Sequence, residues 1–197
     1  MHLGTVITLC GTFEAASMVK DYGEFEMTAY AALLRAVNVG GTGKLRMTML
    51  AELCREAGFE QVKTYIASGN VVFASEFDVD GVRQALEMCL EVYAGKRVGV
   101  LVRTVTELAD VVKRNPFADR PGNRTVALFV DEKLSPDQLE QVTGQQGEEL
   151  RLGKREIFIS YDDGMADSKL RIPVAKAGTA RNMNTVAKLA EMTAALV

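Results

Sequence analysis

The sequence is poor in the residues that most often carry out catalysis or hold metal ions. Its single histidine, His2, stands at the N-terminus, and its three cysteines, Cys10, Cys54 and Cys89, are far apart and form no Cys-x-x-Cys pair. One histidine cannot support multi-histidine metal sites, and its terminal position argues against a Ser-His-Asp triad or a Cys-His dyad. The cysteine spacing argues against structural zinc and a redox dithiol, and we predict no metal and no cofactor.

An excess of charge of one sign and long apolar runs are also lacking. The chain has 23 basic and 26 acidic side chains, and no hydrophobic segment approaches the length of a membrane span. Non-specific binding to duplex nucleic acid depends on an excess of lysine and arginine, so duplex nucleic acid is disfavoured as a partner. Together with the cysteine usage, these features predict a cytoplasmic protein that does not enter a membrane.

The first 26 residues differ from the rest of the chain. They carry one lysine and four acidic residues, so they account for the net charge of −3, and residues 27–197 are neutral. The apolar stretch at positions 6–10 has no preceding lysine or arginine, which argues against a signal peptide. We expect residues 1–26 to be a non-native or disordered extension, or a misassigned start with Met27 as the initiator.

The remaining sequence has the composition and patterning of a globular α+β protein. With 48% hydrophobic and 25% charged residues, a chain of 197 residues is long enough for two small subdomains with buried cores. Residues 27–117 have the pattern strand, helix, strand, strand, helix, strand, which is the order of a ferredoxin-like unit. Thr48 is the expected N-cap of the first helix, and Asp78 or Asp80 that of the second.

Residues 118–197 repeat most of this order. Capping boxes at residues 104–107 and 135–138 predict two helices, and Gly144 is expected to end the second of them. A hairpin follows, and the last helix is expected from about residue 184 to residue 196. The sequence therefore predicts an α+β fold of two ferredoxin-like α/β subdomains packed together, with a C-terminal helix.

An arginine and two asparagines stand where a loop is predicted to turn into this last helix. A cation such as Arg181 is disfavoured there by roughly 0.3–1 kcal/mol at an exposed site, because the helix dipole is positive at its start. A bound phosphate or carboxylate would relieve the clash and would accept hydrogen bonds from the helix amides and the guanidinium. Asn182 or Asn184 is the expected N-cap, which leaves the other to face a ligand. The alternative is that Arg181 pairs with an internal carboxylate and pins the loop.

A second arginine follows a buried strand and precedes a glycine-rich loop. Arg35 is followed by Asn38, Gly40 and Gly41, an arrangement in which backbone amides can cradle an oxyanion beside the guanidinium. The loop is not a Walker A motif, because Leu45 stands where that motif requires serine or threonine. The alternative is a loop of left-handed glycines with an arginine bonded to backbone carbonyls.

Two shorter elements complete the candidate set. Ser68, Gly69 and Asn70 are typical of a tight bend, and their hydroxyl and amide could also contact a ligand. Ser168 and Lys169 lie in a turn-rich connection. Adjacent side chains diverge on a helix or a strand and so form no Ser-Lys dyad with each other, while Ser68 or Ser168 with Lys169 across the fold stays open as nucleophile and base. The alternative for the lysine is a surface position with at most a weak ion pair.

These segments together resemble a known bacterial family. Residues 33–41, 64–73 and 178–189 resemble motifs of the domain-of-unknown-function family 1697, and residues 168–170 match its Ser-Lys-Leu element. The resemblance covers nearly everything after Met27. It implies a pair of ferredoxin-like subdomains and contributes no reaction, since none is established for the family.

The chain departs from the family pattern at two positions. The family commonly has tryptophan where this chain has Met183, and proline where it has Asp162. The first difference removes a large aromatic platform beside Arg181, so base stacking at that point is not supported.

The leading functional hypothesis is a small anionic ligand, a nucleotide or a phosphorylated metabolite, bound in a cleft between the subdomains. Whether the protein is an enzyme stays open. The residues expected to converge on the ligand are Arg35, Asn38, Gly40, Gly41, Ser68, Gly69, Asn70, Ser168, Lys169, Arg181, Asn182 and Asn184.

Two other classes of function are kept. A non-catalytic assembly module would use the motifs to secure the junction between subdomains and an apolar surface to form a homodimer, and buried, internally paired arginines 35 and 181 would favour it. A single-stranded nucleic-acid binding protein would need exposed aromatic side chains on a sheet for base stacking, with Tyr65, Phe73, Phe158 and Tyr161 as candidates.

Overall fold

The fold is that of a computed structural model, which describes residues 26–37, 45–161 and 164–196. The chain divides into two compact units. Unit 1 comprises the described residues up to Thr104 together with the segment that begins at Thr193, and unit 2 runs from Val105 to Met192. In the described part of the chain, no helix has the length and apolar character needed to cross a membrane.

Unit 1 is a four-stranded antiparallel sheet with two helices. Its strands lie in the order β2-β3-β1-β4, so the chain leaves β1, forms an outer hairpin and returns to the other side of β1. This is the ferredoxin-like arrangement that the sequence predicts. In chain order the elements are β1 (Thr28–Leu34), α1 (Met47–Glu56), β2 (Glu60–Tyr65), β3 (Asn70–Ser75), α2 (Val79–Ala94) and β4 (Val100–Thr104).

The two helices begin in different ways. Asp78 caps α2, since its Oδ1 accepts a hydrogen bond of 2.8 Å from the amide of Gly81, and Gly95 ends the helix with φ of 67°. The expectation that Thr48 caps α1 is wrong, because the helix already begins at Met47 and Thr48 lies inside its first turn. Burial of the apolar face of α1, more than a side-chain cap, sets where this helix starts.

The core of unit 1 lies between its helices and one face of its sheet. Side chains alternate across a strand, so Tyr30, Ala32 and Leu34 of β1 share the face that packs in one cluster with residues of α1 and α2. Phe59 stacks on Phe73 in the same cluster, with ring centroids 4.3 Å apart. This packing fixes the end of β1 and therefore the position of the arginine that follows it.

Unit 2 repeats the sheet of unit 1. Its strands lie in the order β6-β7-β5-β8, and all pairs are antiparallel. The two sheets therefore have the same topology, which confirms two ferredoxin-like subdomains. The elements are α3 (Val105–Lys113), β5 (Thr125–Phe129), α4 (Asp137–Glu140), β6 (Glu149–Leu152), β7 (Glu156–Ser160), a 3₁₀ turn (Pro173–Lys176), β8 (Thr179–Asn182) and α5 (Met183–Ala194).

Strand β8 corrects the sequence analysis, which placed its residues in a loop. Arg181 and its neighbours pair with β5, so that Arg181 lies opposite Ala127. The strand is four residues long and lacks the run of β-branched and aromatic residues that marks a strand in sequence. Only pairing with a strand far away in the chain makes it a strand.

Helix α4 is shorter than expected. Ser135 and Gln138 form the predicted contact, with the amide of Ser135 donating to Oε1 of Gln138 over 2.6 Å, but the helix ends at Glu140 and does not reach Gly144. None of its residues is buried. A short helix without a buried face has little to stabilise further turns.

Helix α3 belongs to unit 2 because ion pairs hold it and the residues after it to the β6–β7 hairpin. Arg114 Nη2 lies 2.7 Å from Oε1 of Glu156, and Arg155 Nη1 lies 2.9 Å from Oε1 of Glu107. Contacts therefore divide the units between Thr104 and Val105. The sequence analysis placed the boundary between the subdomains after residue 117. That boundary concerns folding units as well as contacts, and it stays a prediction.

We expect Arg114→Ala to destabilise unit 2 by about 1–3 kcal/mol, because it removes the cation from Glu156, whose side chain is 2% exposed. Lys188→Ala is the matched control, since Lys188 makes only an exposed ion pair with Glu191 and should change stability by less than about 0.5 kcal/mol. Urea unfolding curves of both variants measure the difference. Equal effects would show that the Arg114 pair does not hold α3 in place.

Candidate functional site

The candidate residues are distributed over both units. Asn38, Gly40 and Gly41 lie outside the described residues. The expectation that the candidates meet in one cleft between the subdomains stays a prediction. Unit 1 holds Arg35, Ser68, Gly69 and Asn70, and unit 2 holds Ser168, Lys169, Arg181, Asn182 and Asn184.

In unit 1, strand pairing brings the candidates to one end of the sheet. β1 runs antiparallel to both β3 and β4, so its last residue meets the first residues of its neighbours. Leu34 donates its amide to the carbonyl oxygen of Gly69 over 2.8 Å, and Arg35 donates to the carbonyl oxygen of Gly99 over 2.9 Å. Arg35, the bend before β3 and the residues before β4 are therefore neighbours.

The bend at Ser68, Gly69 and Asn70 is held by its own contacts. Gly69 has φ of 77°, and a Cβ atom there would lie 2.4 Å from Cγ2 of Val37, so only glycine fits. The side-chain amide of Asn70 donates to the carbonyl oxygen of Tyr65 over 3.0 Å and to Oγ of Ser68 over 2.9 Å. The two hydrogen bonds donated by that amide therefore stabilise the bend itself, whereas the Ser68 side chain is exposed.

Unit 1 also contains a cavity of about 410 Å³ beside Arg35, and we call it the Arg35 cavity. Two cations, Arg35 and Arg97, line it together with two carboxylates, Glu87 and Glu91 of α2. A Cβ atom at Gly99 would lie 3.0 Å from Cδ of Arg35 and 3.1 Å from its Nη1. The absence of a side chain at Gly99 therefore lets Arg35 lie against the backbone that leads into β4.

Arg181 has a different environment from Arg35. Only 8% of it is exposed, and its Nη1 donates to Oγ1 of Thr179 over 2.7 Å and to the carbonyl oxygen of Ala180 over 2.9 Å. Burial lowers the pKa of the Arg181 guanidinium to about 10. These contacts are with its own strand, as expected of an arginine that supports the sheet.

Arg103 of unit 1 is the topological counterpart of Arg181. It lies on β4, opposite Ala31 of the central strand, and is 1% exposed. Its Nη1 also donates to the carbonyl oxygen of the preceding residue, over 2.8 Å. In both sheets a small alanine on the central strand leaves room for the long side chain on the neighbouring strand. The repetition of this pattern favours a structural role for Arg181.

The two asparagines near the start of α5 have separate roles. Oδ1 of Asn182 accepts a hydrogen bond of 2.9 Å from the amide of Thr185, so Asn182 is the N-cap. Asn184 is exposed, and its Oδ1 lies against Gly122, where a Cβ atom would be only 2.2 Å away. Asn184 is thus the asparagine that is not used as the cap.

Ser168 is bound to a carboxylate that the sequence analysis did not single out. Its hydroxyl donates to Oε1 of Glu148, and the amide of Gln146 donates to Oε2 over 2.6 Å. These bonds hold the pKa of Glu148 below its ordinary value, which makes it a weak base. The pair therefore anchors the connection before β8 and is poorly suited to activating a nucleophile, while the side chain of Lys169 is exposed.

The aromatic candidates differ in burial. Phe73 and Phe158 are 0% and 1% exposed, and Tyr65 and Tyr161 are half-buried. Burial raises the pKa of Tyr161, and the charge of Glu148 adds to this effect. Base stacking needs an accessible ring face, which the buried Phe73 and Phe158 do not offer, so single-stranded nucleic-acid binding stays a prediction that depends on Tyr65 and Tyr161. Among the described residues, no group of three or more histidine, cysteine, aspartate or glutamate side chains is arranged to hold a metal ion.

The fold and the cavity define an α+β protein of two ferredoxin-like subdomains with an arginine-lined cavity in the first. Residues 27–158 match the model of the family described as protein of unknown function (DUF1697), and the chain belongs to that family. No match is found among curated proteins. A solved structure of a conserved bacterial protein from Streptococcus pneumoniae is similar, with 27% identity, a TM-score of 0.71, and coverage of 85% of this chain and 99% of that one.

Sequence reasoning misses six residues that line the Arg35 cavity: Ala36, Glu87, Glu91, Arg97, Val98 and Gly99. The two glutamates are ordinary charged residues of an amphipathic helix, and nothing in their spacing points to a cavity. Gly99 carries the one usable signal, because a glycine just before a strand often marks a close approach of another group.

We expect Arg181→Ala to lower the stability of the protein by about 1–3 kcal/mol, because it removes a buried guanidinium from Thr179 and Ala180. Arg171→Ala, which changes an exposed side chain of the same unit, is the control and should stay within about 0.5 kcal/mol of the native protein. Urea unfolding measures both. Full stability of Arg181→Ala would contradict the structural role.

The Glu148 contacts predict a pH-dependent contribution to stability. Because the pKa of Glu148 is lower in the folded state than its ordinary 4.5, the contribution is fully present above that value and is lost as the pH falls through the folded-state pKa. Glu148→Gln should therefore lower the free energy of unfolding at neutral pH and differ less from the native protein in acid. Ser168→Ala should shift stability in the same direction. A deficit in Glu148→Gln that does not shrink on acidification would argue against the ionised contact.

Proposed function

We propose that the protein binds a small ligand with a phosphate group in the Arg35 cavity of unit 1. The observation that carries the proposal is the meeting of a cavity of about 410 Å³ with two guanidinium groups, those of Arg35 and Arg97. This volume lies within the range of about 300–1,000 Å³ that is typical of small-molecule sites. An arginine guanidinium presents a planar set of donors that matches phosphate oxygens.

The surrounding backbone supports the same conclusion. The amide of Arg35 is tied to the carbonyl oxygen of Gly99, and that of Leu34 to Gly69, so the base of the Arg35 side chain is fixed by two strand ends. A charged group held at a fixed position loses less conformational freedom when a ligand binds. Elements of regular structure thus position the principal cation, and only its outer part has to adapt.

The proposal concerns binding and not turnover. Arginine side chains suit the attraction and orientation of a phosphate, and they are not general bases in proteins. Arg181 is left out of the proposed ligand contacts because it is buried and bonded within its own strand. The cavity of unit 1 is therefore proposed to bind by itself.

A thermal-shift screen of inorganic phosphate, nucleotides and sugar phosphates tests the proposal. A ligand present at 100 times its dissociation constant should stabilise the native protein by about 2.7 kcal/mol. In Arg35→Gln the same ligand should produce a much smaller stabilisation, because the positive charge of Arg35 is removed. In the matched control Arg55→Gln the shift should stay, since Arg55 is an exposed arginine of α1 outside the cavity lining.

Gly99→Ala provides a second, independent variant. Its added Cβ atom would lie 3.0 Å from Cδ and 3.1 Å from Nη1 of Arg35, so the side chain would have to shift by a few tenths of an ångström while keeping its charge. We expect this variant to fold and to bind the ligand more weakly than the native protein. If every ligand shift survives in Arg35→Gln and in Gly99→Ala, the phosphate is not bound in this cavity.

A further inference from the structure

Among the residues that the structure describes, the charges that line the Arg35 cavity are balanced. Arg35 and Arg97 contribute two positive charges, and Glu87 and Glu91 contribute two negative ones. A ligand that carried only negative charge would be attracted by the arginines and repelled by the carboxylates. Like charges at close range are unfavourable and act against such a partner.

The two carboxylates lie on the same face of α2, because residues four apart in a helix are neighbours. Oε1 of Glu87 accepts a hydrogen bond of 3.0 Å from the amide of Val100, which fixes this side chain against the start of β4. Glu91 is exposed and stands one turn further along the helix. Glu91 is therefore the carboxylate that is able to reach a ligand group at the mouth of the cavity.

The position of Glu91 in its helix favours a positive neighbour. It lies in the last turn of α2, which contains no basic residue. The negative end of a helix dipole disfavours a carboxylate and is stabilised by a cation. In the described part of the chain, no ion pair within 4.0 Å joins Glu91 to Arg97, which follows the helix. A cationic group of a bound molecule would be stabilised both by the carboxylate and by the helix end.

We propose that the ligand of the Arg35 cavity is a zwitterion, a phosphate monoester that also carries an ammonium group. Its phosphate lies against Arg35 and Arg97, and its ammonium group lies against Glu91. This inference rests on the proposed function, because it assigns a ligand class to the same cavity. It also explains why the described residues that line a cavity for an anionic group include as many carboxylates as guanidinium groups.

Two probes test this inference on the full chain. O-phosphoethanolamine and ethyl phosphate have the same phosphate ester on a two-carbon chain and differ only in the ammonium group. We expect O-phosphoethanolamine to bind about threefold more tightly by titration calorimetry, which is the size of effect that one exposed ion pair provides. Glu91→Gln should abolish this preference, because O-phosphoethanolamine binds more weakly and ethyl phosphate more tightly when the carboxylate is removed.

Glu56→Gln is the matched control, since Glu56 is an exposed glutamate in the last turn of α1 and does not line the cavity. It should keep the preference for O-phosphoethanolamine. If both probes bind equally and both weaken in Arg35→Gln, the phosphate site stands and the zwitterion assignment is overturned. If neither probe binds, this inference is overturned, and the proposed function is overturned as well if no phosphate compound of the thermal-shift screen depends on Arg35.

Discussion

The antiparallel pairing of β1 with its two neighbours is the constraint on which the candidate site depends. Because the end of β1 meets the starts of β3 and β4, three segments that are far apart in the chain lie together at one end of the sheet. The hydrogen bonds from Leu34 to Gly69 and from Arg35 to Gly99 hold these segments together at that end. Both glycines are placed where a side chain would collide with β1 or with the residues that follow it. The Arg35 cavity is thus a product of sheet topology.

The repetition of one topology in both units helps to separate arginines that support a sheet from the arginine of the proposed ligand site. Arg103 and Arg181 occupy the same place in the two sheets, opposite an alanine of the central strand, and both are buried. Arg35 follows a strand, and its side chain lines a cavity. A position that recurs in both sheets reflects a requirement of the fold, whereas the cavity in unit 1 is a feature to which function can be assigned.

Carboxylates also differ in whether they are bonded within the fold or lie beside a cavity. Glu156 is held by Arg114 and by the backbone amides of Lys154 and Arg155, and Glu148 is held by Ser168 and Gln146. A buried charge must be compensated by nearby donors, and these contacts do so within the unit. Glu91 of unit 1 is in contrast an exposed carboxylate beside a cavity, where its charge remains available to a ligand.

Local signals predicted much of the fold but little of the site. The Asp78 cap and the two-part α+β architecture follow from capping and from hydrophobic patterns that act within a few residues. Strand β8 could not be predicted, because four small or polar residues become a strand only by pairing with β5. The same limit applies to Arg181, which was expected at the start of a helix and lies within the sheet.

The sequence by itself determined the two ferredoxin-like subdomains, most of their helices and strands, and the importance of the segment around Arg35. These features depend on periodicity and on capping, which are encoded locally. Only the tertiary structure decided which charged residues line open space and which are bonded within a sheet. Arg97, Glu87 and Glu91 gain their place beside Arg35 through the packing of α2 and the pairing of β4 with β1, and these contacts join residues that are distant in the chain.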